Sequence, residues 1–295
     1  LRFFIIGFLV ILAIVLYFSV IKPNRQLSKA KALIDQGRYP EASAMMVDYH
    51  FNSSEKGLAL QYDCAIRSME AGDYKSAYPL LDKLSYQDYA DSKEIAENIE
   101  VRYNIACITD ANLGDRVTFG KYHDSSTEDG ISWIVLAKED NKALLISTWG
   151  LDAKPYNETL IDVTWDNCTL RSWLNSEFLN EAFSFEEQLS MADTFVPAEI
   201  GNKSGLPLGN DTVDKVFLLS TDEVDQYDLA STCGRTSYAA DNGATDTGCW
   251  WTRSHWGSLN QGAYVKDEYL GQHFGGIDVD ASTGIVRPAI WVNLE

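Results

Sequence analysis

The sequence predicts an α+β protein: an N-terminal transmembrane helix, a short α-helical repeat region, and a C-terminal domain of mixed helices and strands. Three observations predict this. A charge-free apolar run occupies residues 3–21, a Gly-x-Tyr-x-x-Ala pattern occurs twice in the next stretch, and from Gly114 onward apolar residues alternate in strand fashion around a few helical segments. The boundaries that follow are 1–25 for the anchor, 26–113 for the repeats and 114–295 for the C-terminal domain.

The first run reads FFIIGFLVILAIVLYFSVI, 19 residues without a charge. At about 1.5 Å per residue it would reach roughly 28 Å, close to the hydrocarbon thickness of a bilayer. It is apolar on every side, unlike the one-sided stripe of a surface helix. It ends YFSVIKPN, without the small-residue pattern at which a signal peptide is cleaved, so a retained single-pass helix is expected. Arg2 precedes it, and Lys22, Arg25, Lys29 and Lys31 follow. Taken alone, those charges would hold the C-terminal part in the cytoplasm. The chain begins at Leu1 rather than a methionine, so this count is not used to assign topology.

The repeat region carries ALIDQGRYPEA at 32–42 and RSMEAGDYKSA at 67–77, with Gly37 and Gly72 separated by 35 residues. That period is close to the 34 of tetratricopeptide repeats. Glycine permits a tight helix–helix turn, and the Tyr and Ala that follow pack between antiparallel helices. Residues 26–113 are therefore expected to be helical, with Tyr39, Ala42, Tyr74 and Ala77 as packing residues. Two repeats are few for a peptide-binding groove, which favours a spacer.

In the C-terminal domain RVTFGKY alternates as a strand, and ISWIVLA and ALLIS flank KEDNK as a hairpin. Leu170, Trp173, Leu174, Phe178 and Ala182 recur at helical spacing. Ser184 with Glu187, and Ser220 with Glu223, have the spacing of capping boxes. VFLLS, CWWTRS and GAYV read as strands, as does GIVRPAIWVNL, an apolar strand opened by Arg287-Pro288. Strands at both ends with helices early between them fit α+β rather than a parallel α/β fold.

Composition narrows the functions. Forty-three acidic against 24 basic residues give a formal charge of −19, a field that repels phosphate backbones, so nucleic acid is not an expected partner. Five cysteines without a C-x-x-C give no support to a zinc ribbon or thioredoxin-type site within this chain and leave open whether Cys233 and Cys249 pair or stay free. No G-x-S-x-G, H-E-x-x-H or phosphate loop is present. DVDAST at Asp278 begins like a calcium loop, but Ala289 stands where the twelfth, acidic ligand belongs. No catalytic residue, metal or cofactor is expected.

GDRVTFGKY, ISWIVLAKEDNKALLIS, TWDNCTLRSWLNSEFLNEAF, VFLLS, CWWTRS and VRPAIWVNL occur in that order over 114–295. Together they resemble the domain of unknown function family 6273. That family is similar to C-type-lectin-like domains of the formylglycine-generating-enzyme branch, which includes variable ligand-binding proteins. The resemblance implies a C-type-lectin-like fold for 114–295, placed outside the cell behind a membrane helix and helical repeats.

Within CWWTRS, strand alternation sets Trp250 and Thr252 against Trp251 and Arg253. Trp250, Trp251, Arg253, Arg287 and Trp291 are expected to be structural, the buried arginines bonding loop carbonyls or a carboxylate. The variable proteins bind ligands with the segment after a similar motif. The resemblance therefore assigns ligand binding to His255, Trp256, Asn260, Tyr264, Tyr269 and His273, on a loop where aromatics and amides make an adaptable surface. The function expected is a membrane-anchored, cell-surface, non-catalytic module for an extracellular glycan or protein ligand, held in the membrane through residues 3–21. Two alternatives stand beside it. One is a copper oxidase like the formylglycine-generating enzymes, for which Cys233 and Cys249 lack the family's cysteine spacing. The other is a structural scaffold acting through the repeats.

Overall fold

The structure, a computed structural model, describes residues 17, 22–47, 54–123, 130–200, 207–269 and 272–295. It divides into two units, residues 1–106 and 107–295.

In the first unit the described helices are α1 (Lys22–Asp35), α2 (Tyr39–Val47), α3 (Glu55–Glu70), α4 (Tyr74–Ser85) and α5 (Ser92–Asp110), the last running on into the second unit. The repeated glycine has one job in both hairpins. Gly37 and Gly72 end α1 and α3 at φ +70 and +77, a region closed to most side chains. The next amide then turns back onto the helix. Arg38 N–H donates to the Leu33 carbonyl and Asp73 N–H to the Ser68 carbonyl, the C-terminal cap that uses an αL glycine. The chain reverses at once, and Ala42 and Ala77, both fully buried, join Ile34, Met46, Leu80 and Leu81 in one core, with Tyr39 and Tyr74 packed at its margin. Ser43 Oγ donates to the Ser76 carbonyl at 2.8 Å, tying one hairpin to the other.

The second unit holds two five-stranded sheets. The first has the order β1-β2-β3-β14-β9, from β1 (Arg116–Thr118), β2 (Ser132–Glu139), β3 (Lys142–Ser147), β14 (Ala289–Asn293) and β9 (Val216–Phe217). The second has the order β12-β11-β10-β13-β4, from β12 (Gln272–Asp278), β11 (Ser258–Tyr269), β10 (Trp250–Trp256), β13 (Ile285–Val286) and β4 (Asp152–Ala153). The β2–β3 hairpin turns on Asp140 and Asn141, both at positive φ, as a two-residue turn matched to strand twist requires. Two small ribbons, β5 (Thr194–Val196) with β8 (Thr212–Asp214) and β6 (Glu199–Ile200) with β7 (Pro207–Leu208), complete the strands.

The helical segment after β4 is one stretch of three parts: α6 (Thr169–Trp173), a wider π turn at Leu174–Phe178, and α7 (Leu179–Ala182). Leu170, Leu174, Phe178 and Ala182 are all buried. Both capping boxes form. Ser184 and Glu187 start α8 (Phe185–Ser190), and Ser220 and Glu223 start α9 (Thr221–Gln226). A short α10 (Ser237–Asp241) precedes β10.

Three sequence expectations are corrected here. Among the described residues no helix is long and apolar enough to cross a membrane. The longest, α5, carries Lys93, Glu94, Glu97, Glu100, Arg102 and Asp110 along its length. The predicted span 3–21 lies outside the described residues, Tyr17 excepted. The fold class is therefore α+β with helices N-terminal and sheets C-terminal, in place of a lectin-like domain behind a transmembrane helix. Second, GIVRPAIWVNL is not one strand. It breaks at Arg287-Pro288, so that β13 pairs in parallel with β10 in one sheet while β14 pairs with β3 and β9 in the other. Proline has no N–H for a ladder, which suits it to the crossover. Third, the segment after CWWTRS is not a loop: it ends β10 and forms the hairpin β11–β12, whose first strand pairs antiparallel with β10.

Trp251 shows how tightly that sheet is built. A Cβ on Gly262 or Gly284 would lie 2.7 or 1.9 Å from its indole, and its Nε1–H donates to the Lys154 carbonyl at 2.8 Å. Trp251→Ala removes this wedge and orphans the carbonyl. It should destabilise the second unit by about 3–5 kcal/mol in denaturant unfolding, the range for truncating a core aromatic; a loss within about 1 kcal/mol would show that the indole is not a core element.

Candidate functional site

The buried framework of the site is made by two arginines. Arg253, on β10, donates from Nη1 to the Leu218 carbonyl at 3.0 Å and from Nη2 to Glu223 Oε1 at 3.1 Å, with a second, close contact to Glu223 Oε2. The same Glu223 accepts from Ser220 N–H in the capping box, so one carboxylate serves both the helix start and the strand. Arg287 is 5% exposed. Its Nε donates to the Ser147 carbonyl at 2.9 Å, and its guanidinium lies 4.9 Å over the Trp250 ring. Burial pulls its pKa below the ordinary value. Trp250 is fully buried and donates to the Ser231 carbonyl at 3.0 Å. Trp291 sits half-buried on β14 beneath the Lys142 ammonium.

The six residues assigned to ligand binding do not form one patch. Register decides this. Trp251, Tyr264 and Gly275 are paired in line across β10, β11 and β12, so Asn260, Gly262 and Tyr264 share one face of β11, and His273 and Ile277 share it on β12. Trp256 lies on the opposite face, where a Cβ on Gly276 would meet its indole at 2.2 Å. It is the last residue of β10, 39% exposed, at a turn made by Gly257 with φ +76. His255 turns inward: its Nε2–H donates to the Val163 carbonyl and its ring meets Tyr156 edge-on at 5.4 Å. Tyr264 is half-buried over Gly275, and burial pushes its phenol up. Asn260 Oδ1 accepts from Ser258 Oγ at 2.6 Å. His273 is half-buried, with Nδ1 unpaired among the described residues. Tyr269 pairs with Gln272 at the hairpin end, and its side chain lies outside the described residues.

What gathers at the β10–β11 turn is different from the sequence assignment. Residues 157–163 lie along this end of the sheet. Asn157 N–H donates to the Val279 carbonyl, Val163 N–H to the Leu259 carbonyl, and the Val163 carbonyl holds His255. This segment presents Leu160 and Ile161, 49% and 55% exposed, on the stretch that bonds to Leu259 beside the turn, while the exposed Ile277 lies on the face opposite Trp256. Nothing in the sequence marks Leu160 and Ile161, whose placement depends on Val163 bonding to Leu259 and Asn157 to Val279.

A second cluster was also missed. Asp152 on β4 is buried and accepts from Tyr122 Oη at 2.9 Å, Asn242 Nδ2 at 2.8 Å and the Ala153 N–H, with Lys154 Nζ 3.8 Å away. Lys154 in turn lies 4.6 Å over Trp173, and His123 stacks on Tyr238 at 3.8 Å. Burial, with the Asp152 charge, drives the Tyr122 phenol upward. With its oxygens bonded in this way, Asp152 is held as a brace between β4 and α10 and is not free as a general base. Asp214 is engaged likewise by Trp165, Arg171 and Thr212. Among the described residues no group of three His, Cys, Asp or Glu is placed to hold a metal ion.

Residues 140–294, more than half of the chain, match the family described as Domain of unknown function (DUF6273), and the chain belongs to that family. The match opens at the β2–β3 turn and closes on the residue after β14, so it takes in every crossover between the two five-stranded sheets. No curated protein and no solved structure matches. The lectin-like likeness therefore has no structural counterpart to rest on.

His255 supplies a pH dependence. Burial lowers its pKa, with the Val163 carbonyl partly offsetting the shift. In the unfolded chain an imidazole titrates near about 6.5. The neutral form is favoured in the fold, so its stabilising effect is complete above that value. As pH falls through it, the unfolded chain takes up a proton that the native one does not, and stability drops. Between about pH 7.5 and 5.5 the wild type should lose more unfolding free energy than His255→Gln. Equal losses in the two proteins would mean that the imidazole is solvated.

Proposed function

We propose that residues 107–295 form a non-catalytic ligand-binding domain whose glycan or protein ligand seats at the β10–β11 turn. The observation that carries this reading is Trp256: it is backed rigidly against Gly276 yet leaves more than a third of its surface to solvent. A large aromatic held without freedom to move and left open on one side offers contact area at small entropic cost. Leu160 and Ile161, on the segment that bonds to Leu259 beside the turn, add exposed apolar surface. Exposed apolar surface of this kind marks interaction sites.

The test is an array of glycans and proteins probed with the full chain, followed by titration of the ligand found. Trp256→Ala should weaken binding by at least about 2 kcal/mol, roughly thirtyfold in Kd. Its packing on Gly276 adds a stability cost of about 1–2 kcal/mol. Trp149, as exposed as Trp256 but at the β3–β4 crossover over Gly234, is the control, and Trp149→Ala should leave binding unchanged. Equal weakening by both variants would remove the site from the turn.

The same reading places the domain outside the cell, on the family resemblance alone. Protease added to intact cells should then cut a C-terminal tag; a tag that survives until lysis would overturn that placement.

A further inference from the structure

None of the five cysteines is in a disulfide, and two of them lie close together. Cys233 and Cys249 are 16 positions apart in the chain. Cys233 N–H donates to the Gly248 carbonyl at 3.0 Å, the peptide unit joined directly to Cys249. That hydrogen bond sets the backbone of Cys233 directly against the residue that precedes Cys249, so the two cysteines are near neighbours in space. A disulfide needs Cα atoms about 4.4–6.8 Å apart. Gly248 makes the approach possible: its φ is +67, and a Cβ there would fall 2.5 Å from the Cys233 carbonyl oxygen.

The surroundings differ for the two thiols. Cys233 is 9% exposed, while Cys249 is half-buried and opens toward solvent beside Thr247. Burial pushes the Cys233 thiol up, the Arg287 guanidinium pulls it partly back, and a charge on Cys249 is felt there too. Among the described residues no carboxylate is ion-paired with Arg287, whose partners are the neutral Ser147 carbonyl and Trp250 ring, so a developing charge on sulfur faces a buried cation not already balanced by an anion. Two other cysteines have no such setting: burial raises Cys64 to about 11 and Cys168 to about 12.

We propose that Cys233 and Cys249 are a dithiol site that a hydroperoxide converts to a disulfide. Cys249, as thiolate, attacks one peroxide oxygen. The O–O bond breaks, a sulfenic acid forms on Cys249, and one water (or alcohol, from an organic peroxide) leaves with the proton the thiol gave up. Cys233 sulfur then attacks the Cys249 sulfur. The S–S bond forms, hydroxide leaves and takes the Cys233 proton as water. Two thiols lose two electrons and the peroxide gains them. The bond closes the loop 234–248, which carries α10 with its Tyr238 stack on His123 and, just beyond the helix, the Asn242 bond to Asp152. Oxidation thus pins that loop to the start of β10.

The experiment uses the reduced full chain, hydrogen peroxide, and N-ethylmaleimide labelling after denaturation, with peptides mapped by mass spectrometry. The expected result is loss of two of the five labels, a linked Cys233–Cys249 peptide pair, and recovery of both labels with dithiothreitol. This should occur at peroxide doses that leave Cys64, Cys107 and Cys168 labelled. In Cys233→Ser, Cys249 should instead be trapped by dimedone as a sulfenic acid. In Cys249→Ser, Cys233 should keep its label. The proposal is overturned if wild-type Cys249 passes to sulfinic acid without a linked peptide, or if Cys107 is consumed before the pair. It is also overturned if Cys249→Ser leaves Cys233 as readily oxidised as in the wild type.

Discussion

A guanidinium inside a protein must find acceptors, and at Arg287 finding them holds two sheets together. The chain passes between the sheets four times, from β3 to β4, from β4 by way of the small ribbons to β9, from β9 to β10 and from β13 to β14. Arg287 stands in the last of these crossovers and donates to the carbonyl of Ser147, the last residue of β3 before the first. Ser147 N–H returns a bond to the Pro288 carbonyl. The flat cation lies on Trp250, so the central strand of the second sheet is braced by the same side chain. Arg253 makes the complementary tie. It runs from β10 to the Leu218 carbonyl just beyond β9 and to Glu223 at the start of α9. Removing either arginine's acceptors would leave a buried charge uncompensated, which is more damaging than never having had the pair.

These ties explain why β10 is buried on both faces although it reads as an alternating strand. Residues Trp250 to Ser254 are all below the surface because one face packs Trp251 on Gly262, Gly284 and Tyr156, while the other packs Trp250 under Arg287. Glycines opposite the aromatics carry the arrangement on to Tyr264 over Gly275 and Trp256 over Gly276. Each large ring takes the volume its partner lacks. The close packing thus continues to the last residue of β10, where Trp256 lies over Gly276 with its outer side exposed. Asp152 and Asp214 serve the same framework as braces, each bonded by several neighbouring side chains.

Much of the local structure is legible in the residues themselves. The Gly37 and Gly72 turns, the Ser184 and Ser220 capping boxes, the Asp140-Asn141 turn and the buried positions Leu170, Leu174, Phe178 and Ala182 each depend on interactions within a few positions. A positive φ, a cap hydrogen bond and a helical period are local demands, and neighbours alone satisfy them. The family likeness was legible too, because it rests on ordered short motifs.

What the tertiary structure alone decided is everything that depends on a distant partner for backbone hydrogen bonds. Nothing within GIVRPAIWVNL says that its halves serve different sheets; β10 and β3 decide it by offering separate edges. Nothing in HWGSLNQGAYVKDEYLGQHF says hairpin rather than loop until β10 supplies the ladder. The register of that ladder then sends Trp256 to one face and Tyr264 to the other, splitting residues that adjoin in sequence, because a strand alternates its side chains at every step. It is the same long-range pairing that brings residues 157–163 to the β10–β11 turn and sets Cys233 beside Cys249.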